Sequence, residues 1–127
     1  MPKILYIEDN PLNMRLVRKH LKRAGIDMLE ASDGLTGIEI ALNEKLDAIL
    51  VDVNLPDIDG LEVTRRLKAE APLQNIPIIA LTANAMHGDR ELCLAAGCDA
   101  YLAKPIARQE LYNTLRVYLP EIFSVAV

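Results

Sequence analysis

Short runs of uninterrupted apolar residues alternate along this chain with longer stretches in which apolar residues recur every three or four positions. The runs are Ile4-Leu5-Tyr6-Ile7, a weaker one at Met28-Leu29, Ala48-Ile49-Leu50-Val51, Ile78-Ile79-Ala80-Leu81 and Ala100-Tyr101-Leu102. A strand without polar alternation has no solvent face, the pattern of a parallel sheet covered on both sides. The stretches between have the helical period. Leu16, Val17, His20, Leu21 and Ala24 share one helix face. Asn10 and Pro11 suit the cap and first turn of that helix, and Gly25 its end. Further helices are predicted near 34–43, 59–69, 87–96 (closed by Gly97) and 106–119 (stopped by Pro120). Five strands alternating with five helices predict an α/β fold: a doubly wound, five-stranded parallel sheet of the (βα)5 type, with right-handed crossovers.

Composition narrows the function classes. A chain of 127 residues, 51% of them apolar, is the size of one domain and too apolar for a disordered tail. No run approaches the ~20 residues that span a bilayer, and no leader pattern opens the chain, so a cytoplasmic protein is expected. The net charge of −4 argues against sequence-independent nucleic-acid binding, which needs a basic excess. Arg15, Arg18, Lys19, Lys22 and Arg23 fall at helical spacing and read as a solvated face. Cys93 and Cys98 lack a histidine at ligand spacing, so they read as buried thiols in a reducing compartment rather than a zinc site. His20 and His87 receive no role, and Met86 reads as a helix-start contact.

In a doubly wound sheet, ligands sit beyond the carboxyl ends of the strands. Glu8 and Asp9 follow the first strand, Asp52 ends the third with Asn54 two residues on, Thr82 ends the fourth, and Lys104-Pro105 follows the fifth. Each alone is an ordinary strand-end residue or helix cap. Together they bring three acids, a hydroxyl and a lysine to one rim. Carboxylates crowded within ~4–6 Å raise one another's pKa, a strain that a hard cation relieves. Mg²⁺ favours one or two carboxylates with water and a phosphate oxygen. Lys104 can hold a phosphate oxygen as a point charge, and a carboxylate fixed on a buried strand can itself accept a phosphoryl group.

The segments Tyr6-Ile7-Glu8-Asp9-Asn10, Val51-Asp52-Val53-Asn54-Leu55-Pro56 with Asp59-Gly60, Ala80-Leu81-Thr82-Ala83 and Tyr101-Leu102-Ala103-Lys104-Pro105 resemble the receiver domains of two-component response regulators, over nearly the whole chain. Glu8 to Asn13 and Leu81 to Met86 also resemble stand-alone regulators and the receivers of hybrid histidine kinases. The resemblance implies strand order 2-1-3-4-5 and Asp52 as phosphoacceptor. It implies that Asp9 ligates Mg²⁺ directly, Glu8 mainly through water and Asn54 through its backbone carbonyl. Thr82 would hydrogen-bond the phosphoryl group, Lys104 would pair with it, Tyr101 would turn inward as Thr82 moves, and the Lys104–Pro105 peptide would be cis. The function implied is a phosphorylation-dependent signalling switch in a phosphorelay, with self-catalysed phosphotransfer and autodephosphorylation, rather than an enzyme with a separate substrate. The phosphoryl donor would be a sensor histidine kinase or a histidine phosphotransfer protein. Output would be protein–protein contact with a downstream effector at the face of the fourth helix, fifth strand and fifth helix, without direct DNA binding or membrane contact, from a monomer or weak homodimer. Ala83 is small enough to leave the acyl phosphate open, and Asn54 and Asn84 flank the path of an attacking water.

Other readings stay open at this level: a constitutive receiver-like interaction module, or a receiver excised from a hybrid kinase. A haloacid-dehalogenase-like phosphatase would need an acid at Asn54 and its nucleophile after the first strand. A flavodoxin-like FMN carrier would have to seat a phosphate against Glu8 and Asp9. The expected organisation is a receiver at 1–120 with an apolar tail at 121–127, which either packs on its own domain or meets a partner.

Overall fold

The apolar runs form strands β1 (Lys3–Ile7), β2 (Asp27–Ala31), β3 (Ala48–Asp52), β4 (Ile78–Thr82) and β5 (Ala100–Ala103). They make one parallel sheet in the order β2-β1-β3-β4-β5. The computed structural model describes residues 2–83 and 89–123. Every residue of β3 and β4 is buried, as expected of central strands with helices on both faces. The edge strand β2 exposes Asp27 and Glu30, which is why its apolar signal is weak.

The helices are α1 (Pro11–Arg23), α2 (Gly34–Asn43), α3 (Gly60–Lys68), α4 (Asp89–Ala96), α5 (Arg108–Tyr118) and a short α6 (Pro120–Phe123), with a 3₁₀ turn at Ala71–Leu73. Two apolar layers sandwich the sheet. Met14, Val17 and Leu21 of α1 and Leu111 and Leu115 of α5 pack with Ile4, Tyr6, Leu50 and Leu102 on one face. Ala41, Val63, Leu67 and Cys93, from α2, α3 and α4, pack with Leu5, Ile7, Val51 and Ala80 on the other. Each fully buried Leu, Ile or Val contributes roughly 1.5–3 kcal/mol.

Side chains supply the starts of α1, α2 and α3. Asn10 Oδ1 accepts the Leu12 and Asn13 N–H groups at 2.8 and 3.2 Å, Asp33 Oδ1 that of Thr36 at 2.7 Å, and Asp59 Oδ1 that of Glu62 at 2.8 Å. Each satisfies donors that a helix leaves unpaired. After α1, Gly25 adopts φ +76°, a conformation costly for any residue with a Cβ.

Two boundaries differ from the sequence pattern. The fifth helix begins at Arg108 rather than 106, because Ile106 is a buried core residue of the preceding loop. Pro120 ends one helix and also opens the next, as a first-turn proline without an N–H to lose. The first residues of the expected 121–127 tail are therefore helical through Phe123. Residues 124–127 lie outside the described residues, as do Asn84, Met86 and His87. Among the described residues, no helix is long and apolar enough to cross a membrane.

Candidate functional site

Strand parity builds the site. Along β1, Ile4 and Tyr6 face α1 and α5, as do Ala48 and Leu50 on β3 and Ala100 and Leu102 on β5. Side chains alternate at period two, so the next residues on that face are Glu8, Asp52 and Lys104. Glu8 and Asp52 are buried, exposed by only 2% and 3%. Lys104 Nζ stands between them, 2.8 Å from Glu8 Oε1 and 2.9 Å from Asp52 Oδ1. Tyr6 Oη donates to Glu8 Oε1 at 2.8 Å, and the Asn10 N–H to Glu8 Oε2 at 3.2 Å. The Asn54 N–H reaches Asp52 Oδ1 at 3.2 Å, while the Asn54 side chain is exposed.

Two buried carboxylates cannot share one half-buried lysine on equal terms. Burial first, and then the adjacent Glu8 carboxylate, push the Asp52 carboxyl up to about 6, with Lys104 working the other way. Burial also disfavours the Glu8 anion, but hydrogen bonds from Lys104, Asp52, Tyr6 and Asn10 outweigh it and hold Glu8 below the usual range. Lys104 is held above its ordinary value despite burial, by Glu8 and Asp52. Glu8, Asp9 and Asp52 each place a carboxylate oxygen within 4.8 Å of the other two. This all-oxygen set is the donor chemistry a hard divalent cation takes, and it fits Mg²⁺.

The other residues singled out in the sequence surround this cluster. Thr82 is buried at the end of β4, in register with Ala103. By parity Thr82 and Tyr101 belong to the opposite face, where Tyr101 packs with Ile78 and Ala80. The Tyr101 ring is half-buried and lies 5.8 Å from the Arg90 guanidinium of α4. The Lys104–Pro105 peptide is cis. Gly60 lies so close to β3 that a Cβ there would collide with the Asp52 carbonyl, which brings the β3–α3 loop back over the strand end. Away from the site, Cys93 and Cys98 are buried and form no disulfide, and the cations of α1 are exposed, with Arg18 paired to Glu30.

Sequence reasoning missed two residues. In the sequence Tyr6 shows only as part of a strand and a motif, although its i, i+2 relation to Glu8 puts both on one face. Asp57 was unassigned; its carboxylate accepts the Gly34 and Leu35 N–H groups at 2.8 Å each. It thereby ties the loop after Asp52 to the start of α2. Slight burial opposes its charge, but those N–H groups hold the carboxyl at about 2. Nothing in the local sequence marks a cap whose helix lies more than 20 residues away.

The model of the response regulator receiver domain matches residues 4–116. The polar-differentiation response regulator DivK of Brucella anthropi is 42% identical over 120 residues, covering 94% of this chain and 98% of that protein. The receiver domain of the sensor histidine kinase PA1611 from Pseudomonas aeruginosa is 42% identical, with a TM-score of 0.88 over 94% of this chain and 98% of that one. Its structure holds a magnesium ion coordinated in the active-site cleft. The chemotaxis protein CheY4 of Vibrio cholerae superposes with a TM-score of 0.88 at 28% identity, over 94% and 99% of the two chains.

Proposed function

Because the chain belongs to the response regulator receiver domain family, we propose that it is a phosphorylation-dependent signalling switch with Asp52 as phosphoacceptor. The observation that carries this reading is the buried Asp52 carboxylate beside Lys104, inside a cluster of acid oxygens. An Asp52 oxygen attacks the phosphorus of a phosphohistidine on a sensor kinase or phosphotransfer protein. The O–P bond forms as the N–P bond breaks, and the imidazole keeps the electron pair. Asp9 would hold Mg²⁺ directly, with Asp52, the Asn54 carbonyl and, through water, Glu8. The ion supplies neutralisation of charge on the transferring group. Lys104 holds a phosphoryl oxygen by charge, and Thr82 donates its hydroxyl.

The phosphoryl group adds roughly −1.5 to −2 charge and acts by binding one of two conformational states better than the other. Thr82 and Tyr101 have the opposite strand parity to Glu8 and Asp52, and Thr82 is the last residue of β4, so the strand end itself links the site to α4 and β5. Thr82 moving toward the phosphoryl group vacates space for Tyr101 to leave Arg90 and turn inward, and the α4–β5–α5 face then meets a protein effector. The switch unit runs through residue 120, with 121–127 as an appended segment.

The test is phosphorylation by acetyl phosphate with magnesium, read by intact-mass spectrometry and peptide mapping. One phosphoryl group on Asp52, absent from Asp52→Asn, is expected. A phosphoryl group on any other residue, or none, contradicts the reading.

A further inference from the structure

Tyr6 sits on β1 two residues before Glu8, and its ring is fully buried in the α1–α5 layer. Its hydroxyl donates to Glu8 Oε1 at 2.8 Å, the oxygen that also takes Lys104 Nζ at 2.8 Å. Glu8 Oε2 accepts the Asn10 N–H at 3.2 Å. Glu8 is thus held from three sides, by β1, by the residue after β5 and by the cap of α1. An apolar ring would fill the same space in the core; the hydroxyl is the part of Tyr6 that reaches the site.

We propose that Tyr6 is a positioning residue of the phosphoacceptor site: its hydroxyl anchors the Glu8 carboxylate and takes a share of its charge, leaving Lys104 to serve Asp52. This rests on the functional reading of the acid cluster given above. Lys104 divides its charge between Glu8 at 2.8 Å and Asp52 at 2.9 Å. Without the Tyr6 hydroxyl, Glu8 leans on Lys104 for the donor it has lost, and Lys104 is drawn away from Asp52. The place of Glu8 relative to Asp9 and Asp52 is then no longer fixed. A tyrosine hydroxyl carries its proton at neutral pH and so donates to the carboxylate. Groups that orient metal-binding carboxylates are typically worth about 10–100-fold in affinity.

Tyr6→Phe deletes the hydroxyl and keeps the ring. Magnesium chloride is titrated calorimetrically into metal-free wild type, Tyr6→Phe, Glu8→Gln and the double variant, with thermal melts to establish that each is folded. Tyr6→Phe is expected to raise the magnesium Kd about tenfold. In the Glu8→Gln background the same substitution is expected to change it less than about twofold, because the hydroxyl has no carboxylate left to hold. An unchanged Kd in Tyr6→Phe overturns the proposal. So does an equal loss in both backgrounds, which would make Tyr6 a core residue only. Wild type that binds no magnesium would overturn the metal reading itself, before any substitution at Tyr6, and the proposal would fall with it.

Discussion

At the amino-terminal rim of the sheet, acids also stand beside lysines, yet nothing there is crowded. Asp47 accepts the Lys3 backbone N–H at 2.7 Å, and the Lys3 ammonium reaches Glu44 at 3.4 Å. Asp99 accepts the Ile78 N–H at 2.8 Å and faces Lys68 at 3.3 Å. Both aspartates are exposed, so each pins one strand end while water screens its charge. At the carboxyl-terminal rim Glu8 and Asp52 are buried and must divide a single half-buried lysine. The raised Asp52 carboxyl therefore comes from burial and crowding rather than from which residues end the strands.

Magnesium offers the largest separation of the two rims. At a hundred times its Kd it is expected to stabilise the wild type by about 2.7 kcal/mol, because it binds the folded state alone. Asp9→Ala should lose most of that gain and Asp47→Ala none, as read from thermal melts. A gain that survives Asp9→Ala breaks the comparison.

Lysine removal comes next. Lys104→Ala leaves two buried carboxylates without a countercharge and is expected to cost about 2 kcal/mol in metal-free protein at pH 7.5; the figure is below that for a fully buried pair because the rim admits some water. Lys68→Ala, whose carboxylate partner Asp99 is exposed, should cost no more than about 1 kcal/mol. Equal losses in urea unfolding would contradict the contrast.

Asp52→Asn should have the opposite sign. Between about pH 4 and about pH 6 the folded chain keeps a proton on Asp52 that the unfolded chain has lost. Stability conferred by that proton is present below the unfolded value and is lost as pH rises through the folded one. The variant lacks this slope. Without metal at pH 7.5 it is expected to be more stable than wild type by about 1–2 kcal/mol, the opposite shift of Glu8 offsetting part of the gain.

The smallest effect sharpens the point within one loop. Asp57 lies five residues beyond Asp52 and shifts the other way, to about 2. Its contribution is present above its unfolded value and is lost as pH falls toward 2. Asp57→Ala should cost about 1 kcal/mol at neutral pH, as for other helix caps, and less in acid.

The strands and most helices were legible because β1, β3 and β4 are buried on both faces and α1, α2 and α3 carry their own side-chain caps. The edge strand β2 was faint because Asp27 and Glu30 break its apolar run. The 3₁₀ turn at Ala71–Leu73 is too short to show a period. At the site, Glu8, Asp52 and Lys104 could be placed at one rim from strand ends alone. Their shared face follows from counting in twos, a step that would also have found Tyr6. Asp57 was out of reach, because its partners Gly34 and Leu35 are brought to it by tertiary packing rather than by neighbouring sequence.

The most direct measurement is a crystal structure grown with magnesium and beryllofluoride, a stable mimic of the phosphoryl group. The account predicts the beryllium on an Asp52 oxygen, within reach of Lys104 Nζ and the Thr82 hydroxyl, with magnesium against Asp9. Beryllofluoride on another carboxylate, or the three acids parted around an empty cleft, would contradict it.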